Sequence, residues 1–136
     1  MKIFWILFLV STIYGGDLKL ASDIFDKIDT AISHQAKPKI YVHLDIKAVN
    51  EYSEKFNIVK NCADADIVLL STTIDIPSTC RGKVFFGTRY KHLKDEKVIG
   101  AFFWQKGRPN ILFYKSRLDK KHIKLDRSLD KYVEDE

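Results

Sequence analysis

Two cysteines, four histidines and two short hydroxyl-bearing stretches are the residues of this 136-residue chain whose types could do chemistry. Cys62 and Cys80 lack the C-x-x-C spacing that lets one thiol resolve the other during redox turnover, so a catalytic dithiol is disfavoured. In an oxidising compartment the pair reads most simply as a disulfide, with a metal role or free thiols as the alternatives. It would close a loop of 19 residues, Cys62 to Cys80 inclusive, and contribute about 3 kcal/mol by loop entropy. His34, His43, His92 and His122 show no H-x-x-x-H or related ligand spacing, so neither a local metal motif nor a cofactor is expected, and each histidine is assigned to the surface or a strand end. Ser71-Thr72-Thr73 and Gly87-Thr88-Arg89 each follow an apolar run. Ligands of α/β sheets bind beyond the carboxyl ends of strands. If the two runs are parallel neighbours, Ser71, Thr72, Thr88 and Arg89 meet at one edge suited to a small anion or carboxylate. Ordinary turn chemistry is the competing reading of the same residues.

A second candidate surface is aromatic and cationic. Along a strand successive side chains face opposite ways, so Phe102 and Trp104 share one side and Phe103 takes the other. Trp104, Lys106, Arg108 and Tyr114 combine ring area with cationic heads, the types enriched at interface centres. The alternative is that helices cover both faces and these rings are core.

The elements that must position these residues follow from periodicity. Leu18 to Ser33 carries Leu18, Ala21, Ile24, Phe25, Ile28, Ala31 and Ile32 at three- and four-residue steps, which predicts an amphipathic helix with Asp17 as its cap. Lys37-Pro38 ends it. Strands are predicted at Lys39–Leu44, Asn57–Lys60, Ala65–Ser71, Lys83–Thr88, Val98–Trp104 and Asn110–Tyr114, with helical turns at about 46–56, 89–95, 116–123 and 126–133. The apolar run Ile67-Val68-Leu69-Leu70 is the signature of a strand buried on both faces, so helices are expected on either side of the sheet. Gln105 to Pro109 reads as a hairpin link. The result is a single α/β domain over residues 17–136, with a mixed, mostly parallel sheet of about five or six strands flanked by helices and a C-terminal β-hairpin.

Location is written at the start. Ile3 to Tyr14 is an apolar run behind Met1-Lys2, ending at Gly15-Gly16. Its length fits a signal-peptide core and falls short of the roughly 20 residues a membrane-spanning helix needs. Residues 1–16 are therefore read as a signal peptide and the protein as periplasmic, with an uncleaved anchor as the alternative. The net charge of +5 is uneven. Asp17 to Cys80 holds 7 Lys/Arg and 10 Asp/Glu, whereas Arg81 to Glu136 holds 15 and 8. That positive half suits an anionic ligand, an acidic protein or a phospholipid surface, or else is a solvated face that maintains solubility. Nucleic acid is excluded as a partner for an exported domain without a recognition motif.

The segments IGAFFWQKGRPNILFYKSRL (Ile99 to Leu118), LASDIFDKI (Leu20 to Ile28) and KLDRSLDKYVED (Lys124 to Asp135) resemble a group of small exported proteins of Campylobacter-related bacteria. From Lys39 onward the element order is more distantly similar to the YfiR-like periplasmic regulators. Cys62 stands ahead of the buried strand, Gly100 inside a later strand and Gly107 in the turn after it, as in that family. The family's doubled glycine and strand-ending asparagine are replaced by Gly100-Ala101 and Phe113-Tyr114-Lys115. The resemblance implies a domain that holds a membrane diguanylate cyclase or another sensor enzyme inactive, with redox state modulating it. Residues and resemblance together lead to the expectation of a non-enzymatic, regulatory or sensory binding domain that contacts an envelope protein. A small anionic-ligand binding protein is the alternative.

Overall fold

The protein, a computed structural model, is described from Lys2 to Glu136, with side chains from Asp17 onward. The expected signal peptide and its cleavage point therefore lie outside the described side chains. Helix α1 runs Lys2–Ser33, so Asp17 sits inside a continuous helix rather than capping its start. Beyond it come β1 (Lys39–His43), α2 (Lys47–Asn50), β2 (Asn57–Ile58), β3 (Ile67–Leu70), β4 (Val84–Gly87), β5 (Val98–Gln105), β6 (Arg108–Tyr114), α3 (Lys115–Lys120) and β7 (Val133–Glu134). Short 3-10 turns at Cys62–Asp64, Ser78–Cys80, Tyr90–Lys94 and Arg127–Tyr132 join them. Among the described residues no helix is long and apolar enough to cross a membrane.

The seven strands form one sheet in the order β2-β1-β3-β4-β5-β6-β7. The first five of these are parallel neighbours, β6 is antiparallel to β5, and β7 is parallel to β6. This is the expected single α/β domain. The seventh strand, two residues long, went unpredicted because Val133-Glu134 has no pattern of its own and is recruited by Phe113 and Tyr114. The hairpin turn is tighter than expected. Lys106 and Gly107 alone form it, both at positive φ (52° and 76°), the backbone that matches the twist of a two-residue hairpin.

Side-chain alternation divides the core. Ile67, Leu69, Phe86, Phe102 and Phe113 face the stripe Ala21, Phe25, Ile28, Ile32 of α1, whereas Val68, Leu70, Phe85, Val98 and Ala101 face the other way. All four residues of β3 are buried, as its apolar run requires. The expectation of helices on both sides fails on the second face. There the cover is Cys62, Ala65, Cys80 and Leu93, carried by 3-10 turns. Pro77 and Gly82 punctuate the β3–β4 connection, which offers no amphipathic run long enough for a helix. A Cys62–Cys80 disulfide (Cα–Cα 5.1 Å) ties two of those turns together, and both cysteines are buried. A disulfide points to an oxidising, exported compartment.

Two buried charged residues stand out. Arg117 is 7% exposed; its Nη1 donates to the carbonyls of Leu93 (2.8 Å), Val98 (2.9 Å) and Asp95 (3.1 Å). Nη2 and Nε reach the Glu136 carboxylate at 2.8 and 3.1 Å, and the guanidinium lies 4.6 Å over the Tyr114 ring centroid. Arg117 thus clamps the Tyr90–Lys94 turn and the start of β5 to the C-terminus. Asp29, on α1, is 1% exposed, and among the described residues neither carboxylate oxygen has a partner. Burial, aided by the nearby Asp26 charge, holds its pKa well above the usual 3.8.

Candidate functional site

Parallel register decides which candidate residues meet. His43 pairs with Leu70, Leu70 with Gly87, and Gly87 with Ala101. The chain therefore leaves β1, β3 and β4 at one edge of the sheet, and β5 extends past that edge to Trp104 and Gln105. Ser71 and Thr88 are neighbours, as the sequence reading required: Thr88 Oγ1 donates to the Leu70 carbonyl at 2.8 Å.

The edge carries a chain of clefts. One is lined by Asp45, Ser71, Thr88, Arg89, Tyr90 and Trp104 among others. A second, of 510 Å³, lies between the Ser71–Ile74 loop and the turn that carries Arg89, Lys91, His92 and Lys94. A third, of 440 Å³ and mainly apolar, runs between α1 and the hairpin past Leu18, Phe25, Phe102, Trp104 and Gly107. All four residues expected to bind a ligand, Ser71, Thr72, Thr88 and Arg89, line these clefts. Of those expected to meet a partner, Trp104 joins them, packed 5.9 Å from the Phe102 ring. Lys106 and Arg108 are exposed at the adjoining hairpin tip. Tyr114 does not come with them. It ends β6 at the opposite end of the hairpin, half-buried beneath Arg117.

Two histidines brace this edge. His43, ending β1 and 5% exposed, places Nε2 2.8 Å from the Ile74 carbonyl, which can only accept; the bond pins the Ser71–Ile74 loop. His92 is 2% exposed, not a surface or strand-end residue as expected. Its Nδ1 accepts from the backbone N–H groups of Thr88 (3.1 Å) and Arg89 (3.2 Å). The ring proton must then sit on Nε2, which is buried and has no partner among the described residues. Burial first, then the Arg89 and Lys91 charges, hold the His92 pKa below 6.5. Its place depends on Gly87. A Cβ at Gly87 would stand 2.8 Å from His92 Cβ, so the glycine is what lets the ring pack under the strand end.

Four of the six large apolar side chains left exposed among the described residues lie on this edge: Leu44 (65%), Ile74 (68%), Tyr90 (60%) and Trp104 (43%). Leu44 also adopts φ 66°, a left-handed conformation that costs a non-glycine residue about 1–2 kcal/mol. Among the described residues no serine or threonine hydroxyl is hydrogen-bonded to a histidine ring, and no three His, Cys, Asp or Glu side chains are grouped to hold a metal ion. No family model matches the chain, and no curated protein or solved structure matches it.

Proposed function

We propose that this chain is an exported, periplasmic, non-catalytic domain that regulates an envelope protein by docking it on the carboxyl edge of its sheet. The observation that carries this reading is the gathering of Leu44, Ile74 and Tyr90, on the segments that follow β1, β3 and β4, with Trp104 near the end of β5. Scattered apolar residues on a surface need no explanation, whereas a cluster on one edge marks an interaction site. Arg89, Lys106 and Arg108 flank it, so the matching partner surface is an apolar patch with an acidic rim. The leader-like run Ile3–Tyr14 and the disulfide support export, and the resemblance to YfiR-like regulators supports a membrane sensor enzyme as the protein regulated.

The test is in two steps. A photo-crosslinking residue at Tyr90, in cells, identifies the membrane protein held against the edge. That protein is then titrated with native chain and with Trp104→Ala and Leu44→Asp variants whose melting is unchanged. An interface aromatic at a binding centre is worth about 2 kcal/mol, so the expected loss is about thirtyfold for Trp104→Ala. Equal affinity of the folded variants, or crosslinks to no membrane protein, overturns the reading.

A further inference from the structure

The 510 Å³ cleft between the Ser71–Ile74 loop and the Tyr90–Lys94 turn adjoins the docking surface and shares Ile74 and Arg89 with it, but the rest of its lining is polar. Arg89, Lys91 and Lys94 line it against one carboxylate, Asp95, whose Oδ1 is occupied by the backbone N–H of Lys97 at 3.0 Å. Among the described residues none of the three cationic heads has an ion-pair or hydrogen-bond partner. Ser71 and Thr73 add half-buried hydroxyls on the facing wall. His92 lines the cleft, and its Nε2–H is a buried donor with nothing to donate to. Such a donor costs free energy until an acceptor arrives.

The geometry points to a binding site for a small dianion, a phosphate monoester or a dicarboxylate, held by Arg89, Lys91 and Lys94 over the His92 ring. Three cations against one carboxylate leave two positive charges to match, which a monoanion does not satisfy. A phosphate monoester carries close to two negative charges near neutrality and offers three strong acceptor oxygens. Seated in the cleft, one oxygen supplies the acceptor that Nε2–H lacks, after a local shift that exposes this buried atom. His92 is suited to this because its Nδ1 is committed to Thr88 and Arg89, so the proton cannot move away from Nε2. Ile74 and Arg89 border both surfaces, whereas Lys91, His92 and Lys94 belong to the cleft alone, so substitutions at those positions test the anion site apart from protein docking.

The experiment is a titration of the oxidised protein with inorganic phosphate, succinate and acetate, read by calorimetry and by the ¹H–¹⁵N spectrum of the histidine rings. One dianion is expected to saturate a single site below about 10 mM, with acetate about tenfold weaker and the His92 Nε2 proton displaced. The tighter of phosphate and succinate names the ligand class. Lys91→Gln and Lys94→Gln together are expected to weaken binding about tenfold, at unchanged melting temperature, because both side chains are exposed. Absence of saturable binding by either dianion, acetate binding as tightly, indifference to the paired substitution, or an unmoved His92 proton at saturation each overturns the inference.

Discussion

Replacing Arg117 by methionine tests whether a buried guanidinium, rather than apolar packing, holds the C-terminal elements on the sheet. Methionine keeps an unbranched apolar stem and removes the guanidinium head, with its stacking over Tyr114. Two of the bonds lost are fully buried, to the carbonyls of Leu93 and Val98, and a hydrogen bond from a charged donor is worth about 1.5–3 kcal/mol. The Asp95 carbonyl adds less, because it also accepts from Val98 N–H at 3.0 Å. Glu136, on the other side of the guanidinium, has a half-exposed carboxylate that water can rehydrate. The expected cost is therefore about 3–5 kcal/mol, in the range for breaking a buried charged network. With a urea slope near 2 kcal/mol/M, the midpoint of equilibrium unfolding should fall by about 2 M at unchanged slope. Arg117→Lys, which keeps the charge but cannot reach several carbonyls at once, should recover less than half of that. A midpoint shift below about 0.5 M for the methionine variant would refute the clamp. Full recovery by lysine would show that charge alone matters.

Two further outcomes are expected. Because Asp29 holds its proton more tightly folded than unfolded, its contribution to stability is complete below pH 3.8 and is lost as pH rises toward its elevated folded value. Asp29→Asn should therefore gain stability over the native chain progressively as pH rises above 3.8 in thermal melts, and a pH-independent difference would contradict the buried orphan carboxylate. Gly100→Ala should lower the melting temperature by about 10 °C, a loss of about 3 kcal/mol. Its Cβ would stand 2.6 Å from the Leu112 carbonyl oxygen and 2.7 Å from Phe113 Cδ1. Gly107→Ala, in open space but at φ 76°, should cost only about 1 kcal/mol, and equal losses at the two sites would be inconsistent with the packing described.

Legibility in the sequence followed the length of the apolar signal. Ile67-Val68-Leu69-Leu70 and the segment 98–114 are long enough for only one reading, and they formed the central strand and the hairpin. Ser71, Thr72, Thr88 and Arg89 could be placed together because parallel pairing of two apolar runs puts whatever follows them on one edge. Arg117 was invisible among the neighbouring lysines, since its burial depends on three carbonyls supplied by the Tyr90–Lys94 turn, the residue after it and the start of β5. His92 was hidden for a similar reason: its cavity is made by Gly87 across the strand end. The missing second layer of helices escaped detection because burial of both faces of β3 constrains only that something covers it. Tyr114 was assigned by residue type, and type does not say which end of a hairpin a ring occupies.

The bridge between the Cys62–Asp64 and Ser78–Cys80 turns has a consequence for how the molecule comes apart. Val68, Leu70 and Phe85 have no helix above them, only a roof of short turns whose one covalent fastening is made by oxidation. Before those sulfurs join, the roof has no clasp and half the core is screened by segments free to part. Reduction is thereby expected to loosen this half of the core before the half that α1 covers, with both ends of the segment 62–80, which carries β3 and the Ser71–Ile74 loop, released together.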